Sequence, residues 1–321
     1  VDPVLPAVAS VLEAGRAEGI APSLSAAISR RGLSIHRSRH GDGRFDVASL
    51  TKVLCTTTLA AQAVEAGALD LDGPVAALVP GFAGGWREAV TARHLLAHTS
   101  GLAWWLPLHQ APSREAALAR LLASPLEAPP GQRAVYSDPG FILLGLALEA
   151  ALRGRLPELF EARVARPLGL ASTCFVEGVA PAAAPAHTPA GSATRRADRG
   201  VAPTGWSAAR GRWLEGEVND DVAWALGGAA GHAGLFSTAL EVAAIGQAWL
   251  DALDGHPSIV PAAAAATFSE RDPTPGSTRA LGWDTPSPEG STLGTRLGRG
   301  PRGALGHLGF TGCSLWLDLD A

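Results

Sequence analysis

The sequence predicts a mixed α/β (α+β) fold: an antiparallel sheet flanked by helices and built from both termini, with a mostly helical domain inserted. Three observations point to it. The stretch "PSLSAAISRRGLSIHRSRHG" (22–41) alternates apolar and polar residues on either side of Arg31-Gly32, as a β-hairpin does. The chain closes in strand-like "CSLWLDLD" (313–320), and the residues between carry helical periodicity and cap signals. With 321 residues, 47% of them hydrophobic, the chain is long enough for a sizeable core and two lobes. The implied division is 1–66 with 225–321 for the sheet domain and 67–224 for the helical insertion.

Taken in order, residues 3–17 (PVLPAVASVLEAGRA) read as an opening helix, followed by the hairpin. A long helical run, "SLTKVLCTTTLAAQAVEAGAL", begins at Ser49. From 91 to about 170 the pattern is one of short helices and loops. Thr91 caps "ARHLLA", Ser113 caps "REAALARLLA", and "PGFILLGLALEAAL" starts with proline in a tolerated first-turn position. Residues 178–203, rich in Ala, Pro and Gly, read as a surface excursion. Thr238 and Glu241 form a capping box for "STALEVAAIGQAWLDAL", and 271–304 is Gly- and Pro-rich. No repeat of fixed period is present.

Bulk properties exclude several classes of function. A net charge of −4 and a sequence pI near 6.1 offer no basic field for nucleic acid or anionic lipid. No apolar run approaches the roughly 20 residues of a membrane-spanning helix, and no signal-peptide pattern opens the chain. Cys55, Cys174 and Cys313 are odd in number and far apart, which argues for a reducing compartment and a cytoplasmic location. The start at Val1 and the absence of methionine leave room for a removed leader, which would make the protein periplasmic or secreted. Without Cys-x-x-Cys or His-Glu-x-x-His, neither a metal site nor a cofactor is expected. Oligomeric state stays open.

Chemistry concentrates in residues that occur once. Lys52 is the only lysine in a chain that otherwise uses arginine, and it follows Ser49 by three residues, on the same helical face. A lysine can give up its proton where an arginine cannot, and a serine hydroxyl needs a neighbouring base to become a nucleophile. Tyr136, in "GQRAVYSDPGF", is the only tyrosine, and a phenol can cycle between donor and phenolate. Ser49-x-x-Lys52, Tyr136-Ser137-Asp138 and "GHLGFTG" (306–312) occur in the order and spacing of the serine β-lactamase and penicillin-binding superfamily.

With "HLLAHTSGL" (94–102), "ARPLGLASTCF" (165–175) and "GGAAGHAGLFSTALEVA" (227–243), the chain resembles class C β-lactamase-related serine hydrolases along nearly its whole length. That group includes D-alanyl-D-alanine carboxypeptidases, esterases and D-amino-acid amidases, and its fold is β-lactamase/transpeptidase-like. The resemblance makes Ser49 the nucleophile, Lys52 its base or electrostatic partner, and Tyr136 the proton relay to the leaving group and from the deacylating water. It places His307 and Gly309 on the cleft-lining Lys/His-x-Gly strand, with the N–H groups of Ser49 and Phe310 as the oxyanion hole. A Lys–Tyr pair can share one proton near neutrality, and either residue can serve as the base for Ser49.

Two positions depart from the pattern. Asp138 stands where the motif has asparagine; as an ionised carboxylate it only accepts hydrogen bonds, favours a charged Lys52 and loses the donor for an acylamino carbonyl. His307 stands where many relatives have a permanently charged lysine, and it is mostly neutral at pH 7. Both lean away from efficient β-lactam hydrolysis. Arg299 or Arg302 is positioned in sequence to restore a carboxylate contact. His98 and His232 read as structural hydrogen-bonding residues, Trp104 and Trp105 as packing, and Asp220 and Asp221 receive no role. Ser100 in "HTSGL" is excluded as nucleophile because His98 stands where a nucleophile elbow needs glycine.

The resemblance also implies a further central strand and a C-terminal helix after "TGCSLWLD". Without that strand, backbone groups of the sheet would lack partners. The function implied is hydrolysis, through an acyl-enzyme, of an ester, an amide or a D-amino-acid peptide bond in a small-molecule or peptidoglycan-derived substrate. The alternatives are a true class C-like β-lactamase or a catalytically silent penicillin-binding or sensor domain.

Overall fold

The computed structural model describes residues 4–30, 33–40, 43–176, 200–287 and 297–321. Helix α1 (Val4–Ala17) leads into the hairpin β1 (Leu24–Arg30) and β2 (Leu33–His40), then the short strand β3 (Phe45–Asp46) and helix α2 (Lys52–Glu65). Helices α3 (Ala92–Leu96), α4 (Arg114–Leu122), α5 (Asp138–Leu152) and α6 (Leu156–Phe160) follow. Next come β4 (Cys174–Phe175), the hairpin β5 (Pro203–Ser207) and β6 (Arg212–Glu215), and α7 (Asp221–Ala225). The chain continues through β7 (Leu235–Ser237), α8 (Ala239–Leu253) and α9 (Ala262–Ser269) to the hairpin β8 (Ala304–Gly309) and β9 (Cys313–Asp318). Most of the excursion expected at 178–203 lies outside the described residues, as does part of 271–304.

The caps expected from sequence are formed. Thr91 accepts from the His94 N–H at 3.3 Å and Ser113 from Ala116 at 3.2 Å; Ser137, two residues before Pro139, adds a cap that sequence reading did not single out, accepting from Gly140 at 3.1 Å. At α8 half of the capping box is missing. Thr238 accepts from the Glu241 N–H, but the Glu241 carboxylate instead takes the Ala171 and Ser172 N–H groups and the Thr173 hydroxyl. Three tertiary donors outcompete one local amide.

Helix α2 is not a uniform α-helix either. Lys52–Thr57 is wound as a π-helix before α geometry begins at Thr58. Thr58 Oγ1 donates to the Val53 carbonyl at 2.9 Å, five residues back, and the Thr56 hydroxyl donates to Gly231 at 2.6 Å. The Thr58 hydroxyl thus takes a carbonyl inside the widened turn, while Thr56 ties it to the Gly231 segment; such wide turns are common at functional sites.

One large core surrounds α2. Leu50, Val53, Leu54 and Leu59 pack with Phe141, Leu144 and Leu148 of α5, with Trp249 of α8, and with Phe268 and Trp283. Each fully buried side chain of this size contributes about 1.5–3 kcal/mol. Because α2 and α5 lie in the same core, the two sequence motifs that they begin, at Ser49 and Tyr136, are brought side by side.

The fold class is the mixed α/β one expected, with antiparallel pairing in every strand ladder, but the sheet differs in one respect. Among the described residues β1 pairs with β2, β8 pairs with β9 and, through Gly306, with a single bridge at Asp284, and β3, β7 and β4 form a separate ladder in the order β3-β7-β4. The two terminal hairpins both pack on α8, and no backbone hydrogen bond joins them among the described residues. Gly246 lets β9 approach α8: a Cβ there would lie 2.8 Å from Leu317. Alternation and turn signals specify each hairpin locally; joining hairpins edge to edge is a tertiary matter that alternation does not encode.

Candidate active site

The turn before α2 is built by a residue with no motif signal. Asp46 ends β3, and its Oδ1 accepts from the Ala48 N–H at 2.8 Å, holding Ala48 at φ 47°, a left-handed conformation rarely taken by alanine. Asp46 Oδ2 accepts from the Asn219 N–H at 2.6 Å, and its carbonyl accepts from the Thr311 hydroxyl at 2.7 Å. Distant segments therefore meet at this one buried aspartate, shortly before Ser49, Asn219 at its carboxyl and Thr311 at its backbone carbonyl.

Burial pushes the Asp46 carboxyl up to about 6 from an ordinary 3.8, against the pull of its two backbone donors. The native state thus holds this proton more tightly than the unfolded chain. Its stabilising contribution is complete below about pH 4 and is lost as pH rises through 6, by up to about 3 kcal/mol. Asp46→Asn, which has no proton to lose, is expected to remove that part of the pH dependence. Urea unfolding of both proteins from pH 4 to 7 checks it, and identical slopes would show that Asp46 does not titrate in this window.

Ser49 is half-buried at the start of α2, and its Oγ accepts from Lys52 Nζ at 3.0 Å. Lys52 is fully buried and also donates to Asp138 Oδ1 at 2.7 Å and to the His232 carbonyl at 3.1 Å. Three acceptors match the three donors of an ammonium. Burial alone would push Lys52 down, but the negative charges of Tyr136 and Asp138 outweigh it and the net displacement is upward. Asp138 and the hydrogen bonds around Nζ thus favour the charged form of Lys52. Asp138 has the effect anticipated from its charge.

Tyr136 precedes α5 on a loop. The His98 carbonyl accepts from the Val135 N–H at 2.8 Å, and His98 Nδ1 accepts from the Ser137 N–H at 2.9 Å, so one residue pins both neighbours of the tyrosine. Acceptance at Nδ1 puts the proton of the neutral His98 ring on Nε2. Burial, reinforced by Arg279 and Lys52, holds the imidazole well below its ordinary value and neutral. Its ring lies 4.6 Å from that of Tyr136. Lys52 Nζ is 4.8 Å from the Tyr136 ring centroid and the Arg279 guanidinium 5.3 Å from it.

The third wall is the end of β8. A Cβ on Gly309 would lie 2.5 Å from the Val47 carbonyl, so only glycine lets this strand pass against the turn before Ser49. Phe310 follows, 91% exposed, in the turn to β9. Neither its N–H nor that of Ser49 is given to another acceptor among the described hydrogen bonds. His307 is buried, with its ring 5.9 Å from Tyr136 and its Nδ1–H donated to the Leu308 carbonyl at 2.7 Å. Burial, with Lys52 and Arg279 nearby, pushes it down to about 3, so it is neutral throughout the physiological range.

Ser49, Lys52, Tyr136, Asp138, His307, Gly309 and Phe310 thus border one site. The other singled-out residues divide. Ser100 Oγ accepts from Leu102 inside a buried turn, and Ser137 caps α5. Trp105 packs in a second, smaller core, while Trp104 is exposed and its carbonyl accepts from the Asp138 N–H. His232 Nε2 meets Asp220 Oδ1 at 3.0 Å, bracing the carbonyl that receives Lys52. Arg302 is committed to Asp254 at 2.8 Å. Sequence reading missed Asp46 and Arg279. Neither lies in a recognisable motif, and only the turn-forming preference of aspartate gave a local hint of the first. Among the described residues no cluster of three metal-capable side chains occurs, and no helix is long and apolar enough to cross a membrane.

A Ser-x-x-Lys helix start, a tyrosine loop and a His-x-Gly strand meeting in a mixed α/β fold define a protein of the β-lactamase/transpeptidase type. The chain belongs to the beta-lactamase family, whose model matches residues 8–321. A Salmonella typhimurium relative described as "Putative D-alanyl-D-alanine carboxypeptidase" is 28% identical over 297 residues, covering 85% of this chain and 66% of that protein. The chain thus spans just under two thirds of the length of the curated relatives it matches. Among solved structures, the octameric penicillin-binding protein homologue from Pyrococcus abyssi superposes with a TM-score of 0.71 at 21% identity, covering 97% of this chain and 70% of that one. EstCE1, titled a hydrolase with promiscuous acyltransferase activity, gives a TM-score of 0.70 at 21% identity, covering 97% and 89%. At such identities the structural likeness speaks for the fold.

Proposed function

We propose that the chain is a serine hydrolase that works through an acyl-enzyme on Ser49, cleaving an ester, an amide or a D-amino-acid peptide bond. Its substrates are small molecules or peptidoglycan-derived peptides, as for esterases and D-alanyl-D-alanine carboxypeptidases. The observation that carries this reading is the hydrogen bond from the buried Lys52 ammonium to Ser49 Oγ at 3.0 Å. A cation held there favours the alkoxide that develops during attack.

With the charged form of Lys52 favoured, Tyr136 takes the Ser49 proton in this reading. Ser49 Oγ bonds to the acyl carbon, and the bond from that carbon to the leaving group breaks. Tyr136 returns the proton to the departing atom. Water then attacks the acyl carbon and gives a proton to Tyr136, the bond from that carbon to Ser49 Oγ breaks, and Tyr136 passes the proton to Oγ to restore the hydroxyl. The N–H groups of Ser49 and Phe310 stabilise the oxyanion, each donor by about 3 kcal/mol.

Ester hydrolysis is expected to exceed β-lactam hydrolysis. Asp138, bound to Lys52, presents only acceptors where an acylamino carbonyl needs a donor, and neutral His307 supplies no charge. Each lost charged hydrogen bond weakens binding by about 1.5–3 kcal/mol. The check is kcat/KM for p-nitrophenyl butyrate against a chromogenic cephalosporin; a clear preference for the cephalosporin would favour a true β-lactamase instead.

A further inference from the structure

We propose that His98 is a positioning residue for Tyr136: its ring, acting through Nδ1, holds the phenol where the proton transfers of both half-reactions need it. The assignment rests on the acyl-enzyme reading above and adds a residue to its machinery.

Tyr136 sits where the chain gives it no regular support. Residues 124–137 form neither helix nor strand, so no ladder of backbone hydrogen bonds fixes this ring. Its anchor is the turn that leaves α3. His98 stands there at φ 59°, a left-handed conformation that a side chain keeps only where its surroundings over-determine it. Its own N–H donates to the Leu95 carbonyl at 3.2 Å, and the Thr99 N–H donates to the His94 carbonyl at 2.8 Å, closing the turn on both sides. The next residues dock on the stretch that leads to the tyrosine. The Thr99 carbonyl accepts from Gly131 and the Gly101 carbonyl from Glu127, both at 2.7 Å. Gly101 is required for that approach: its φ is +80°, and a Cβ there would lie 2.0 Å from the Ala128 carbonyl oxygen.

From this turn His98 reaches the residues on both sides of Tyr136, accepting from the Val135 N–H through its carbonyl and from the Ser137 N–H through Nδ1. The carbonyl contact could be made by any residue; the second needs the ring. Ser137 is buried, so without Nδ1 its N–H would lose an acceptor where water does not reach. Past that point the loop is held by other means, the Ser137 hydroxyl donating to the Ala103 carbonyl at 2.7 Å and the Asp138 N–H to the Trp104 carbonyl at 3.1 Å. The His98 ring also packs against the rings of Tyr136 and Phe141, with centroids 4.6 and 5.0 Å away. Among the described residues its Nε2 has no hydrogen-bond partner, which leaves Nδ1 as the ring atom that ties the loop. In the proposed reaction Tyr136 moves a proton to the departing atom and another from water, and each transfer needs hydrogen-bond reach. A shift of about 1 Å in such a group costs about 10²-fold in rate.

The test separates Nδ1 from the rest of the ring. His98→Asn places a carbonyl oxygen near the position of Nδ1 and tolerates the left-handed backbone, whereas His98→Gln carries the same amide one methylene further out. With p-nitrophenyl butyrate, His98→Ala and His98→Gln are expected to lose about 10²-fold in kcat with little change in KM, and His98→Asn to stay within about 10-fold of wild type. Phenyl butyrate has the same acyl group and a poorer leaving group, so its cleavage depends more on protonation by Tyr136. The fall in kcat/KM caused by His98→Gln should therefore be at least about 5-fold larger for phenyl butyrate. All variants are compared below the lowest Tm among them, and the Asn and Gln variants suffice if His98→Ala does not fold. An equal fall for both esters would overturn the assignment, because His98 would then support the fold and not Tyr136. So would a glutamine variant as active as the asparagine one, or wild-type kcat in His98→Ala. If the wild-type protein turns over neither ester and Ser49 forms no adduct with a fluorophosphonate, the acyl-enzyme reading fails and the assignment falls with it. Normal labelling of Ser49 beside any of the earlier contrary results sinks the His98 assignment alone.

Discussion

Ser49→Ala is expected to abolish acyl-enzyme formation and to lower turnover of a short-chain ester by on the order of 10⁴-fold or more. Intact-mass spectrometry after exposure to a fluorophosphonate, a penicillin and p-nitrophenyl butyrate reads the first effect directly. Peptide mapping of the wild-type adduct should place it on Ser49. The other hydroxyls nearby are already used: Ser100 Oγ serves a buried turn, and Ser137 Oγ donates to the Ala103 carbonyl while capping α5. Ser49 alone among the three receives a hydrogen bond from Lys52. An adduct on Ser100 or Ser137, or full labelling of Ser49→Ala, would remove the basis of the proposed function.

Lys52→Arg is the second large effect, expected to reduce kcat by about 10²-fold or more although formal charge is conserved. The physical reason is geometric. Lys52 presents a compact point charge to acceptors at 3.0, 2.7 and 3.1 Å. The rings of Tyr136 and Phe141 crowd the same ammonium, at 4.8 and 5.7 Å from their centroids. A planar guanidinium is wider and aims its donors in one plane, so it cannot meet all three acceptors without displacing Ser49 or Asp138. Overpacking a fully buried position also costs about 1–3 kcal/mol of stability, so a lowered Tm should accompany the loss of turnover. Measuring kcat on folded variant well below its Tm separates the two. Retention of most of the wild-type kcat would show that any cation suffices there, and that the three-acceptor geometry is incidental.

Much of this site was legible before any coordinates. A lysine and a tyrosine that each occur once were chemical signals in a chain otherwise built with arginine and phenylalanine. Serine at i and lysine at i+3 meet by helical geometry alone, even though the turn between them is wound more widely than an α-helix. The helix caps at Thr91 and Ser113 are likewise contacts between residues three apart in sequence. The β1–β2 hairpin was specified by its own alternation and turn.

What the tertiary structure alone decided involves partners that sequence spacing cannot rank. Whether Lys52 carries its proton depends on Asp138, 86 residues away, and on the His232 carbonyl, 180 residues away. Burial and these charges act in opposite directions, and only distances settle the sign. Glu241 passed over its local capping partner because three donors from residues 171–173 reached it. Asp46 and Arg279 acquire meaning only where the chain brings Asn219, Thr311 and Tyr136 to them. The sequence by itself determined the reactive groups and the local elements that carry them, because those interactions span a few residues. Charge state, the separation of the terminal hairpins and the Arg279 approach to the cleft were decided by packing, because each balances desolvation against partners that only the folded chain brings near.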